Sequence, residues 1–138
     1  MTTYTEVERA YLGEQALGRL ATVDPDGVPQ VRPVGFRLNE DGTIDIGGPK
    51  LSASLKWRNA ERNPQVSFVV DDMTPDEPGA HRPGWGRGVE IRGRAELLRD
   101  HEPPFAAGFF SNEVLRIHPA RVIGWNLEGE GNIARDIT

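Results

Sequence analysis

The chain has 138 residues, a formal net charge of -5, 37% hydrophobic and 27% charged residues, 16 glycines, 11 prolines and no cysteine. That length suits one domain spanning 1–138 with its own core, and the acidic balance argues against general nucleic-acid affinity while leaving room for a local basic pocket. Without cysteine there is no disulfide, thiol nucleophile or thiolate-bound metal, and His81, His101 and His118 lack metal-ligand spacing, so no metal site is expected.

No apolar run reaches the roughly 20 residues of a membrane-crossing helix. The opening "MTTYTEVERAYLGEQ" carries early acids and no signal-peptide core, so the expected location is cytoplasmic, with no membrane partner. Thr5 and Glu8 have the spacing of a capping box, and Val7, Ala10 and Tyr11 share a face, which predicts a helix over 6–16. "RLATV" (19–23), the turn "DPDG" and "VPQVRPVGFRL" (28–38) predict a hairpin, and "TIDIGG" (43–48) a third strand.

A helix is predicted over 52–62, ending before Asn63-Pro64 because the residue before proline avoids the α region. "QVSFVV" (65–70) reads as a strand, and residues 71–88, rich in proline and glycine, as a long loop. "VEIRGRAEL" (89–97) alternates cleanly and predicts a half-buried strand. "PPFAAGFFSNE" (103–113) holds only a turn or short helix, and 114–128 reads as strand, a bend at Pro119, and strand. Six short strands with inserted helices predict a mainly β, α+β fold, an antiparallel barrel closed or nearly closed so that edges are removed.

Two stretches are candidates for a site. Ser52, Lys56, Asn59 and Asn63 fall along one helical stripe after Gly47 and Gly48, where first-turn N–H groups, a close-approach backbone and a lysine suit a phosphate. A solvated polar face is the plainer explanation. In "PQVRPVGF", Gln30, Arg32, Val34 and Phe36 share one strand face; Pro33 offers no N–H and Gly35 leaves room for a flat ligand, against the plainer reading of a bulged edge strand. Trp57, Trp85 and Trp125 are ring-stacking candidates of lower weight than core residues. His118 is a candidate proton donor, but a lone strand histidine is usually structural. No triad, carboxylate pair or dinucleotide fingerprint is present, so no catalytic residue is assigned.

The ordered blocks "GRLATVDPDGVPQVRPVGF", "IDIGG", "SLKWRNAERNPQVSFVV" and "GVEIRGRAEL" resemble the split β-barrel flavin and deazaflavin proteins related to pyridoxamine 5'-phosphate oxidase, over roughly 17–98. The likeness is strongest to the actinobacterial branch that uses coenzyme F420, and the arginine-rich, lysine-poor usage fits a GC-rich genome. The resemblance implies a six-stranded antiparallel split β-barrel with an N-terminal helix and a helix inserted after the third strand. It also implies a homodimer with the cofactor site at the subunit interface.

Carried over by position, Lys56 meets the cofactor phosphate, Ser54 assists it, and Gly48 lies beside it. Asn59 steadies the helix or the same site, and Gln30, Arg32, Pro33 and Val34 line the deazaflavin or its tail, mainly through backbone. FMN-binding relatives often place arginine directly before this lysine, whereas here stands Leu55. The stop at Thr138, without the C-terminal substrate segment of a true pyridoxamine phosphate oxidase, makes that activity unexpected. The implied function is an F420-dependent reductase passing hydride to a small-molecule substrate. The alternatives are an FMN-binding oxidoreductase of the same fold, a non-catalytic F420, FMN or haem carrier, and, more weakly, an oligonucleotide-binding barrel.

Overall fold

The Thr5 capping box forms. Its hydroxyl accepts from Glu8 N (3.1 Å) while the Glu8 carboxylate accepts from Thr5 N (3.0 Å), and helix α1 (Glu6–Glu14) follows. A computed structural model of the chain describes residues 3–137. In it α1 stops two residues short of the expected end, where Gln15 turns extended. Tyr11 and Leu12 face the core, and the Glu8 carboxylate, also bonded by Arg135, fills the space beside Gly124 where any Cβ would collide with it.

Eight strands follow rather than six: β1 (Leu17–Val23), β2 (Pro29–Gly35), β3 (Arg37–Leu38), β4 (Ile44–Ile46), β5 (Gln65–Met73), β6 (Gly86–Arg99), β7 (Glu113–Trp125) and β8 (Asn132–Asp136). Their order is β2-β1-β5-β6-β7-β4-β3, with β8 beside β7 and every pairing antiparallel. The two ends of this path, β2 and β3, are consecutive in the chain and separated only by the buried Phe36. The sheet therefore curls until its ends meet through one covalent link, which is how a small sheet removes its edges. The predicted strand over 28–38 is thus two strands serving opposite ends of the sheet. β8 went unforeseen because "GEGNIARD" offers little apolar alternation.

β7 changes partner midway. Residues 115–117 pair with β4 and residues 121–125 with β8, and between them the ladder to β6 shifts register at Arg92/Gly93, opposite Pro119 and Ala120. Proline has no N–H to give a ladder, so it belongs at this irregularity. Gly93 crosses so close to the His118 carbonyl that a side chain would strike it. The barrel interior is filled by Leu20, Phe36, Ile44, Ile46, Phe68, Ile91, Leu115 and Ile117, with Trp57 from the second helix. No helix among the described residues is long and apolar enough to cross a membrane.

Candidate functional site

The link from β4 to the second helix differs from the sequence expectation of a helix beginning at residue 52. After Gly47 and Gly48, Lys50 adopts a left-handed conformation (φ 52°), a single 3-10 turn covers Leu51–Ala53, and helix α2 spans Leu55–Arg62 with Ser54 as its cap. The first donors of this link are already taken: Leu51 N donates to Ser111 Oγ (3.0 Å) and Ser52 N to Glu113 Oε1 (3.1 Å). Hydrogen bonds from Ser52, with one from Ser111 (2.9 Å) and the nearby Arg99 charge, hold the Glu113 carboxyl below its ordinary range. A carboxylate of the chain thus occupies the position expected to receive a phosphate, and Gly48 O accepts from both Ser111 N and Ser111 Oγ (3.1 Å each).

One turn on, the situation reverses. Ser54 Oγ donates to Leu51 O (2.6 Å) and accepts from Trp57 N (3.3 Å), fixing the first turn of α2. Lys56 follows, half-buried, with Arg32 of β2 close enough to act on it. Burial first, then the Arg32 charge, push the Lys56 ammonium below its ordinary value. Among the described residues neither cation has a carboxylate partner, whereas ten contacts there join an arginine to a carboxylate. Lys56 is half-buried while Arg32 is exposed, and an anion bound at Lys56 would offset both its burial and the repulsion from Arg32.

Asn59 fixes this helix to the sheet. Its Nδ2 donates to Thr22 Oγ1 of β1 (3.0 Å), and that hydroxyl in turn donates to Gln30 Oε1 of β2 (3.3 Å). Asn59 and Thr22 are buried, whereas Lys56 is half-buried and Arg32 exposed, so of these four side chains the two cations are the ones open to a ligand. β2 pairs with β1 alone, so alternate backbone groups of Gln30–Val34 point away from the sheet and are open to a ligand. The room expected beside Gly35 is not empty: Phe105 occupies it, 2.6 Å from where a Cβ would stand.

Residues 4–126 match the family described as Pyridoxamine 5'-phosphate oxidase. The chain belongs to that family. It is 41% identical to a 5a,11a-dehydrotetracycline/5a,11a-dehydrooxytetracycline reductase of Streptomyces rimosus, across 98% of this chain and 94% of the relative. A solved structure titled F420 Reductase superposes with a TM-score of 0.61 at 25% identity, covering 86% of this chain and 98% of that one. A conserved hypothetical protein of Mycobacterium tuberculosis superposes at 0.69 with 23% identity, over 91% and 87%. These likenesses make the chain an oxidoreductase on a curled, mainly β framework.

Other sequence candidates in this pyridoxamine 5'-phosphate oxidase family member have structural partners. His118 Nε2 lies 2.8 Å from Glu96 Oε1, on the β6–β7 ladder rather than beside α2. Trp57 is core, Trp125 packs over Gly88, and Trp85 stacks under Arg82 (4.8 Å) in the 74–85 loop, which is tied to Asn126 and Gly129. What sequence reading missed is the role of 103–113. Ser111 and Glu113 hold the turn before α2, and Phe105 and Phe110 seat on Gly35 and Gly47. The signal was present in "PPFAAGFF", three aromatic residues in a segment too short to have a core of its own.

Proposed function

We propose that the protein is a coenzyme F420-dependent reductase whose acceptor is an electron-poor carbon–carbon double bond. The observation that carries this is the Lys56–Arg32 pair, two cations without an acid, beside the open edge of β2. Lys56 and Arg32 would bind the cofactor phosphate with charge-assisted hydrogen bonds. The free N–H and C=O groups of Gln30–Val34 suit the edge of a flat heterocycle, with Pro33 fixing the backbone. Ser54 and Asn59 keep Lys56 in position: one caps the helix and the other bonds it to β1.

When bound, reduced F420 supplies the hydride, which the alkene accepts at one carbon while a proton reaches the other. The chain's own share is to orient, to exclude water and to keep two cations at the phosphate. Support for an alkene acceptor comes from the Streptomyces relative, named for reducing a compound with an extra 5a,11a double bond. Support for F420 comes from the structural neighbour titled F420 Reductase and from Leu55, which stands where FMN-binding proteins of this fold often place an arginine. We also propose that two copies pair through the uncovered outer faces of β1, β2, β5 and β6, where Arg19, Ala21, Val31, Ser67 and Val69 border an open groove of about 260 Å³. The protein would act in the cytoplasm, without nucleic-acid or membrane partners.

Titration of the purified protein with F420 and with FMN, followed by fluorescence, tests the cofactor. Saturable F420 binding, then oxidation of reduced F420 by an alkene acceptor, is the expected result. Tight FMN binding with no F420 binding would sink the proposal, and F420 binding without turnover of any acceptor would favour a carrier.

A further inference from the structure

The turn that leads into α2 is held from the far side of the chain. Glu113 Oε1 accepts from Ser52 N (3.1 Å) and from Ser111 Oγ (2.9 Å), while Ser111 Oγ accepts from Leu51 N (3.0 Å). Leu51 O then accepts from Ser54 N (3.0 Å) and Ser54 Oγ (2.6 Å), and that same Ser54 oxygen caps Trp57 N (3.3 Å). Lys56 is the second residue of the helix that begins in this way. A continuous series of hydrogen bonds therefore runs from the Glu113 carboxylate to the first turn of α2, and Asn59 fixes the helix one turn further on.

The other carboxylate oxygen contributes less. Glu113 Oε2 lies 3.6 Å from Arg99 Nη1, and Arg99 Nη2 lies 3.6 Å from Glu61 Oε2 in the last turn of α2, with the guanidinium 5.2 Å from the centre of the Trp57 ring. Arg99 and Glu61 are solvent-exposed and these pairs are long, so they restrain α2 weakly. The Oε1 bonds hold the turn, because the Glu113 side chain is only 16% exposed and an ionised acceptor bonds roughly twice as strongly as a neutral one. Just before the turn, Lys50 keeps a left-handed backbone (φ 52°) that a lysine seldom adopts. Such a conformation persists only where its surroundings fix it, and the bonds to the next two N–H groups do so.

We propose that Glu113 is a positioning residue for Lys56: its carboxylate fixes the Leu51–Ser54 turn, and the turn fixes the half-buried place of the Lys56 ammonium near Arg32 of β2. Glu113 acts through backbone and touches neither cofactor nor acceptor. That this placement serves a cofactor phosphate rests on the reductase reading; the placement itself does not.

The chain has two lysines, Lys50 and Lys56, so reductive methylation with isotope-labelled formaldehyde gives two lysine NMR signals, and Lys56→Arg identifies which is which. The readout is the pH midpoint of the Lys56 signal in the protein without ligand. Glu113→Ala should raise that midpoint, because an ammonium released from the site escapes both its burial and the Arg32 charge. Loss of a merely neighbouring negative charge would lower it, so the sign separates positioning from direct electrostatics. Ser111→Ala removes the Leu51 acceptor and should raise the midpoint too, which keeps the test decisive if Glu113→Ala does not fold. Glu113→Gln keeps an oxygen for Ser52 N and should stay closer to wild type than Glu113→Ala. An unchanged or lowered midpoint in these truncations would overturn the proposal. F420 affinity is scored separately: Glu113→Ala should weaken it by about tenfold in the wild-type background and leave it unchanged in Lys56→Ala. Equal losses in both backgrounds, or tighter binding once the Ser52 N–H is freed, would overturn a role exerted through Lys56. A raised midpoint in a protein that does not bind F420 would keep the role of Glu113 and remove the cofactor assignment.

Discussion

Asn59 of α2 and Thr22 of β1 are joined by a 3.0 Å hydrogen bond between buried side chains, and the same hydroxyl reaches Gln30 of β2. Helix α2 carries Lys56 and β2 carries Arg32, so one hydroxyl couples the two elements that bring the cations together. A site built on a helix and a strand pinned in this way keeps its spacing before any ligand arrives, which reduces the cost of ordering it on binding.

Thr22→Val keeps the shape and removes the hydroxyl, leaving the Asn59 amide without its acceptor. The expected loss is about 1–3 kcal/mol, the cost of an unsatisfied buried polar group. Thr22→Ser, which keeps the oxygen, should lose less. The midpoint of urea unfolding measures both; a Val variant as stable as wild type would show that the Asn59 amide finds water or another partner.

With Lys56 at the cofactor phosphate, as proposed, cofactor affinity should depend on pH with a definite sign. Burial and Arg32 hold its ammonium below the ordinary value in the free protein, and a bound phosphate favours the charged form and raises it again. Affinity should therefore be level below the free-protein value. Between the free and bound values binding takes up a proton, and affinity should fall by about tenfold per pH unit. Without ligand the depressed value works the other way, because the unfolded chain holds this proton longer and the Lys56 contribution to stability rises with pH in that window. Lys56→Ala should cost about 1.5–3 kcal/mol of affinity and flatten the alkaline fall. F420 titrations across the alkaline range check both, and an unchanged slope in the variant would place the phosphate elsewhere.

Much of this arrangement was legible in the sequence, and the losses have definite physical causes. The Thr5–Glu8 capping box and the alternation of 89–97 are local patterns, and both formed as expected. Spacing and resemblance point to Lys56, Asn59 and Arg32, but spacing alone does not separate the buried Asn59, bonded to Thr22, from the half-buried Lys56. The Ser52 N–H was expected to be free for a phosphate, whereas Glu113, 61 residues later, takes it. Phe105 likewise fills the space at Gly35 from 70 positions away in the chain. Such contacts depend on how the barrel closes, which no local window contains.

Asp45 on β4 is fully buried and receives two hydrogen bonds from Arg116 (2.7 and 2.9 Å) and one from Arg37 (3.2 Å). Burial raises its carboxyl, but the bonds from Arg116 and Asn39 and the two arginine charges outweigh it and leave the group below its ordinary value. A carboxylate depressed in the fold contributes stability that is complete above its unfolded value and is lost as pH falls through its folded value. Asp41, Asp72 and Glu113 are depressed too and add to the same acid limb. Asp45→Asn should cost about 2–3 kcal/mol near neutral pH, less than a fully buried pair because both arginines stay partly hydrated. It should also make the acid limb shallower. Thermal midpoints at several pH values decide this; identical acid slopes in variant and wild type would assign the acid sensitivity to the other carboxylates.

Gly93 and Gly13 respond oppositely to the same substitution. At Gly93 a Cβ would collide with the His118 carbonyl and crowd Ile117 Cγ2 at the point where β7 carries Pro119 and changes partner, and a backbone carbonyl in the ladder cannot swing aside as a flexible side chain can. Overpacking of that kind costs about 1–3 kcal/mol or more, so Gly93→Ala should lower the unfolding midpoint clearly. Gly13 lies exposed near the end of α1 with nothing within 4 Å of a built Cβ. Gly13→Ala should stabilise by about 0.4–1 kcal/mol, because alanine restricts the unfolded chain while fitting the helix. Denaturant titrations of the two variants side by side check the pair. If Gly93→Ala is tolerated, the two strands do not approach there as closely as the bulge requires, and the partner exchange along β7 needs another explanation.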